Sequence, residues 1–303
     1  MSIQWFPGHM TKAKRLLLDQ LRWVDVVIEL GDARLPESSR NPLLQEMLGD
    51  KPKIVILNKS DLADPIQTEL WVNELRKVSP VLAVSAATGA GVGKIVPTLE
   101  RLMADKIEKW AAKGIRARAI RVMVVGIPNC GKSSLVNNLI GSAKAKTGNK
   151  PGVTRGNQWI RIHDKVELMD TPGLLWPKFE DPEVGIKLGT AGAIRDEVLN
   201  LEELSIWLLA WLKQYYPDSL KRYTENVQDL DLEGIGRKRG CLVKGGQVDI
   251  LKAAQIFIRE FRAGSLGRFT LDHIEEKSRK EEDNSFESDI TNEHSGIERD
   301  AQN

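Results

Sequence analysis

The stretch Gly126-Ile127-Pro128-Asn129-Cys130-Gly131-Lys132-Ser133 has the spacing G-x-x-x-x-G-K-[ST]. In this pattern two glycines let backbone N–H groups turn inward around phosphate oxygens. A lysine neutralises the β and γ phosphates, and a serine hydroxyl offers a Mg²⁺ ligand. Lys132 and Ser133 take those two roles, with Asn129, Cys130, Gly131 and Ser134 as further nucleotide contacts. Downstream, Asp170-Thr171-Pro172-Gly173 supplies a carboxylate that reaches Mg²⁺ through water and, at Gly173, an N–H that senses the γ phosphate. Thr154, in Pro151-Gly152-Val153-Thr154, is the candidate for a second Mg²⁺ hydroxyl. Another cluster reads a base. In Asn58-Lys59-Ser60-Asp61, the Asp61 carboxylate can accept from both the N1 and the 2-amino donors of guanine. Adenine lacks this donor pair, and a polar mismatch of that kind discriminates by about 10⁴–10⁵. Ser85-Ala86-Ala87 would place a backbone N–H near guanine O6. The ligand these residues fit is a guanine nucleotide.

Such loops must sit at the ends of strands. The first two-thirds of the chain alternates strand-like and helix-like segments, the pattern of a parallel sheet covered by helices. Strands are expected at Val24–Leu30, Lys53–Leu57, Val81–Val84 and Ile120–Val125, so the two base motifs and the phosphate loop each follow a strand. Helices are expected over Met10–Trp23, Glu69–Val78, Gly93–Lys113 and Ser133–Ile140, and a hairpin over Trp159–His163 and Lys165–Met169 around Asp164. After Trp176 the character changes. Asn200-Leu201-Glu202-Glu203 is a capping box opening a helix with apolar residues at Leu201, Leu204, Leu208 and Leu212. Asp249 caps a further helix, Ile250–Arg262, with the stripe Leu251, Ala254, Phe257, Ile258 and Phe261 and a stop at Gly264.

The 303 residues suffice for about two domains. Cys130 and Cys241 form no CxxC pair, which argues against a disulfide framework or a structural zinc. The longest apolar run, Ile206–Leu212, is far short of the ~20 residues of a membrane helix. With no apolar signal core in the opening residues, the expected setting is the cytoplasm. The net charge of +2 conceals a segregation: Asp272–Asn303 carries eleven acids and four bases, a net −7, leaving +9 on Met1–Leu271. The basic body includes Lys12, Lys14, Arg15 and Arg22, the run Gly236-Arg237-Lys238-Arg239-Gly240, Lys244-Gly245-Gly246, and Arg259, Arg262 and Arg268. Clusters of this kind fit the backbone of structured RNA, and the acidic tail is expected to mask them when no RNA is present.

The motif order is rotated. Translation-factor-like GTPases run phosphate loop, switch threonine, DxxG, NKxD, then SA, whereas here NKxD (58–61) and SA (85–86) precede the phosphate loop (126–133). A joint at Ala112–Ala119 would close the original termini. With Trp5-Phe6-Pro7-Gly8-His9-Met10, Asp32-Ala33-Arg34, Pro151-Gly152-Val153-Thr154 and Gly264-Ser265-Leu266-Gly267-Arg268, the sequence resembles the circularly permuted GTPases of ribosome biogenesis, most closely the ribosome biogenesis GTPase A family. The resemblance runs from Trp5 to about Leu271.

It implies an α/β fold: a circularly permuted P-loop GTPase domain (1–180), with a mostly parallel sheet and helices on both faces. A small, mainly helical RNA-binding domain (181–274) and an acidic tail (275–303) would follow. It also implies GTP hydrolysis coupled to late maturation of the large ribosomal subunit, whose RNA would be the partner of a chain that is monomeric off the ribosome. A signalling GTPase with a protein effector stays open as the alternative. The position after DTPG is Leu174, which cannot orient a water, so His9 is the candidate to position it. Asn129 is the candidate K⁺ ligand, its oxygen lying near the phosphates, or else a residue that merely bonds the loop backbone.

Overall fold

The computed structural model describes residues 8–114, 118–147, 159–169 and 181–274, with residues 8–14 and 142–147 as backbone only. Its centre is a six-stranded sheet in the order β3-β2-β1-β4-β6-β5, built from β1 (Val26–Asp32), β2 (Lys53–Asn58), β3 (Val81–Ala83), β4 (Ile120–Gly126), β5 (Trp159–His163) and β6 (Val166–Met169). The first five strands in that order are parallel, and β5 pairs antiparallel with β6 at the edge. All seven residues of β1 are buried between two parallel neighbours, Glu29 among them with Arg40 donating to its carboxylate at 3.0 Å. The register Leu30↔Gly126 and Asp32↔Asn58 brings the C-terminal ends of β4, β1 and β2 together, the edge of a parallel sheet where ligands bind.

Around the sheet lie α1 (Gly8–Leu21), α2 (Pro42–Leu48), α3 (Pro65–Arg76), α4 (Ile95–Leu102), α5 (Ala104–Ala112) and α6 (Lys132–Thr147). Leu17 and Leu21 of α1 join Leu44 and Leu48 of α2 against Val27, Met123 and Val125, while Trp71 and Leu75 of α3 cover Val55 and Leu57. The segment read as one helix over Gly93–Lys113 is interrupted: α4 buries Ile95 and Leu99, the chain breaks at the buried Met103, and α5 buries none of its residues. Once the apolar face ends, core packing no longer holds the helix in line.

The rest is α7 (Pro182–Thr190), α8 (Leu201–Tyr215), α9 (Leu232–Lys238) and α10 (Ile250–Arg262). Asn200 accepts from the N–H groups of Glu202 and Glu203 and donates to the Glu203 carboxylate at 2.9 Å, and Asp249 caps α10 through Lys252 N–H, both as the sequence predicts. Gly264, the expected stop, has φ +72. Leu251 departs from the predicted stripe: it is 48% exposed, while Ala253 joins Ala254, Phe257, Ile258 and Phe261 inside. One apolar cluster runs from Ile28 and Val124 of the sheet through Leu208 and Leu212 to Phe257, Phe261 and Phe269. Among the described residues no helix is long and apolar enough to cross a membrane.

Candidate guanine-nucleotide site

β4 delivers the phosphate loop and α6 leaves it, with Leu135 N–H donating to Gly131 O at 2.9 Å. The loop needs its glycines. A Cβ on Gly126 would lie 2.2 Å from Leu30 O, and one on Gly131, at φ +93, would lie 2.2 Å from Asn58 Nδ2. Ser133 and Ser134 are exposed at the start of α6, and Lys132 lies beside them. Cys130 is buried, and burial pushes its thiol up to about 11, so it packs under the loop as a neutral side chain rather than reacting.

The base motifs meet this loop through Asn58. Its Nδ2 donates to Cys130 O at 2.8 Å, and its Oδ1 accepts from Ala86 N–H at 2.8 Å. One buried amide thus holds NKxD, SA and the phosphate loop together, although the three are far apart in the chain. The Ala86 N–H has a protein acceptor in Asn58, and the buried Ser85 accepts from Thr88 N–H at 3.2 Å within its own turn. Asp61 differs from these tied residues: its Oδ1 is buried with no hydrogen-bond partner among the described residues. A native buried carboxylate oxygen is seldom left that way, and two guanine N–H donors would satisfy it.

Two groups around the site were not given roles from sequence. The first is Asp32 and Arg34. Asp32 ends β1 and accepts from Arg34 Nε at 3.0 Å through Oδ1 and from Nη2 at 2.7 Å through Oδ2, and Lys59 Nζ lies 2.9 Å from that same Oδ2. Burial alone would raise the Asp32 pKa, but Arg34 and Lys59 outweigh it and hold the carboxyl well below the usual range. Lys59, at φ +61, is thereby held by its neighbour's charge. The second is the end of α7. Four successive carbonyls there accept from three separate elements: Gly189 O and Thr190 O from Arg262, Ala191 O from Arg34 at 3.1 Å, and Gly192 O from Asn129 Nδ2 at 2.8 Å. Helix C-terminal carbonyls lack intrahelical partners and attract cations, so this turn is a natural junction for α10, the base side and the phosphate loop.

Among the described residues no group of three or more His, Cys, Asp or Glu side chains is placed to hold a metal ion. His9 falls in the first turn of α1, where only backbone is described, and Thr154, Asp170 and Gly173 lie outside the described residues.

Residues 121–239 match the family model described as 50S ribosome-binding GTPase. The chain is 46% identical over 289 residues to ribosome biogenesis GTPase A of Bacillus cereus, covering 93% of this chain and 98% of that protein. The chain belongs to the ribosome biogenesis GTPase A family. It is also 36% identical to mitochondrial ribosome-associated GTPase 1 of Mus musculus, across 89% of this chain and 90% of that one. The crystal structure of GNP-bound YlqF from T. maritima is similar in fold, with a TM-score of 0.64 at 28% identity over 86% of this chain and 98% of that chain. As a member of the family the chain binds guanine nucleotide and hydrolyses GTP, on a circularly permuted P-loop sheet. Mg²⁺ is the general cofactor of such GTPases. For the Asp32–Arg34 network the sequence signal was two charges flanking one residue at a strand end. For the α7 turn there was none.

Proposed function

We propose that the protein is a GTP-dependent switch in late assembly of the large (50S) ribosomal subunit, docking on ribosomal RNA and leaving after hydrolysis. The supporting observation is the junction at 189–192, where the phosphate loop, the base side and α10 share one turn. A change at the phosphates has a short path from there to the basic surface carrying Lys238, Lys244, Lys252 and Arg259, all exposed. The basic residues divide on inspection. Arg262 is tied to Gly189, Thr190 and Asp196, Arg268 to Ser60 and Ala63, and Arg239 to Glu260, so these three are structural. Without them, the exposed Lys238, Lys244, Lys252 and Arg259 are cations left for phosphate contacts.

In the reaction, Lys132 neutralises the β and γ phosphates, Gly173 N–H follows the γ phosphate, and Asp61, Asn58 and Lys59 hold the base. Ser133, Thr154 and Asp170 through water would hold Mg²⁺, which supplies positive charge to the phosphate oxygens when bound. His9 orients the attacking water in place of Leu174. Asn129 supports K⁺: with its nitrogen donating to Gly192 O, the amide oxygen is the end left for a cation. An added cation at that point would do what an arginine finger does elsewhere, about 10³–10⁵ in rate. Turnover in K⁺ should therefore exceed turnover in Na⁺, and equal rates would remove K⁺ from the mechanism.

Co-sedimentation with purified large subunits tests the docking itself. Binding with a non-hydrolysable GTP analogue should exceed binding with GDP, and both should weaken with salt. No binding in either state, or binding insensitive to salt, would overturn the RNA-docking reading.

A further inference from the structure

After α10 the chain does not leave the molecule but returns to the nucleotide edge of the sheet. Phe269 N–H donates to Leu62 O at 3.0 Å, Leu271 N–H to Arg34 O at 2.7 Å, and Asp272 accepts from Glu37 and Ser38. Within this strap, Arg268 reaches over the turn that follows Asn58 and Lys59. Its Nε donates to Ala63 O at 2.8 Å and its Nη2 to Ser60 O at 2.8 Å. Those carbonyls flank Asp61, whose Oδ1 is buried and has no partner among the described residues.

We propose that Arg268 is a positioning residue for guanine recognition: by bridging the carbonyls on either side of Asp61 it sets the direction in which that carboxylate meets the base. This rests on the reading of Asp61 as the guanine acceptor. The geometry suits arginine in particular. A planar guanidinium offers two N–H vectors at a fixed angle, so holding two carbonyls at once fixes the turn between them. Ser60 N–H is tied on the opposite side to Val84 O at 3.0 Å, so the turn is gripped from the sheet and from the strap. A carboxylate that must accept from two adjacent donors tolerates little rotation, whereas one accepting a single donor tolerates more.

That difference supplies the test. Inosine diphosphate keeps N1–H and lacks the 2-amino group, so the ratio of GDP to IDP affinity reports how well the carboxylate engages both donors. We would titrate GDP and IDP calorimetrically, with Mg²⁺ present, into the full chain and its Arg268→Gln, Arg268→Lys and Asp61→Asn variants. Arg268→Gln should lose about tenfold in GDP affinity, the size of one or two charge-assisted hydrogen bonds, and about twofold for IDP. The ratio then contracts. Arg268→Lys, which keeps the charge and reaches one carbonyl, should fall between, and it decides the matter alone if the glutamine variant does not fold. A ratio unchanged in the Arg268 variants, whether both affinities hold or fall together, would overturn the proposal while leaving Asp61 in its role, provided Asp61→Asn collapses the ratio. If Asp61→Asn leaves the ratio intact, the reading of Asp61 fails, and this proposal with it.

Discussion

At the scale of single residues, Asn58 does more than its place in a base motif requires. Its amide satisfies a buried carbonyl on the phosphate loop and a buried N–H beside Ser85. Asn58→Ala leaves both groups without partners, at about 1–3 kcal/mol for each. The variant should unfold at lower urea and bind GDP more weakly, and a parent-like GDP affinity would show that the bridge is dispensable. Asp32 gives a pH dependence. Its folded pKa lies below its unfolded value of about 3.9. The ionised form therefore contributes stability that is full above that value and falls away as the pH drops through the folded one. Asp32→Asn, which strands the buried Arg34 guanidinium, should cost about 3–5 kcal/mol at pH 7. The gap to the parent should narrow by about 1.4 kcal/mol per pH unit below pH ~4. Urea unfolding at pH 7 and pH 3 measures it, and an equal gap at both would exclude the linkage.

Among the elements, the joint of the permuted sheet is the least predictable from pattern. The sequence places that joint at Ala112–Ala119. Arg118 is exposed, yet it donates to the buried Asp25 carboxylate at 2.7 and 2.9 Å, joined by Arg121 N–H at 3.0 Å and Lys106 at 3.4 Å, and it also stacks over Trp110 with 4.5 Å to the ring centroid. Burial would raise the Asp25 pKa, but Arg118 and Arg121 outweigh it and lower it. This ionic clamp fixes where β4 begins. Arg118→Ala should cost about 1–3 kcal/mol by chemical denaturation, with GDP affinity nearly unchanged because the clamp acts on the N-terminal end of β4. A loss below about 0.5 kcal/mol would mark the contact as an ordinary surface ion pair.

Across the whole molecule, the sheet and the C-terminal helices share one apolar cluster, and the strap from Gly264 onward ties the chain back to the loops at 32–40 and 60–63. Phe257, fully buried in α10, stacks edge-on against Tyr223 with 6.1 Å between centroids. Phe257→Ala should cost about 3–5 kcal/mol. Because the core is continuous, helix loss by circular dichroism and release of bound GDP should shift to lower temperature together. Release of GDP at the parent's temperature, with helix loss alone shifted, would show that the C-terminal helices melt as a separate unit.

The motifs proposed to hold nucleotide were legible in the chain because their chemistry is local: the phosphate loop is one strand-to-helix turn, and Asn58-Lys59-Ser60-Asp61 follows a strand end. The strands were legible for the same reason, since burial on both faces leaves an uninterrupted apolar run such as Ile54–Leu57. Other readings differ from the structure: Arg239 is paired with Glu260 and Leu251 faces solvent. Arg262 and Arg268 read as free surface charge, yet each donates to carbonyls about 70 and 205 positions away, and the helix over Gly93–Lys113 breaks where its buried face ends. A cation's sequence neighbours do not reveal whether a helix end or a turn will be folded against it. Composition and spacing thus determined the ligand, the family resemblance and the order of the motifs. Only the tertiary structure decided which charges were available to a partner and which were needed to hold the site, because unsatisfied backbone carbonyls become partners only when distant segments pack together.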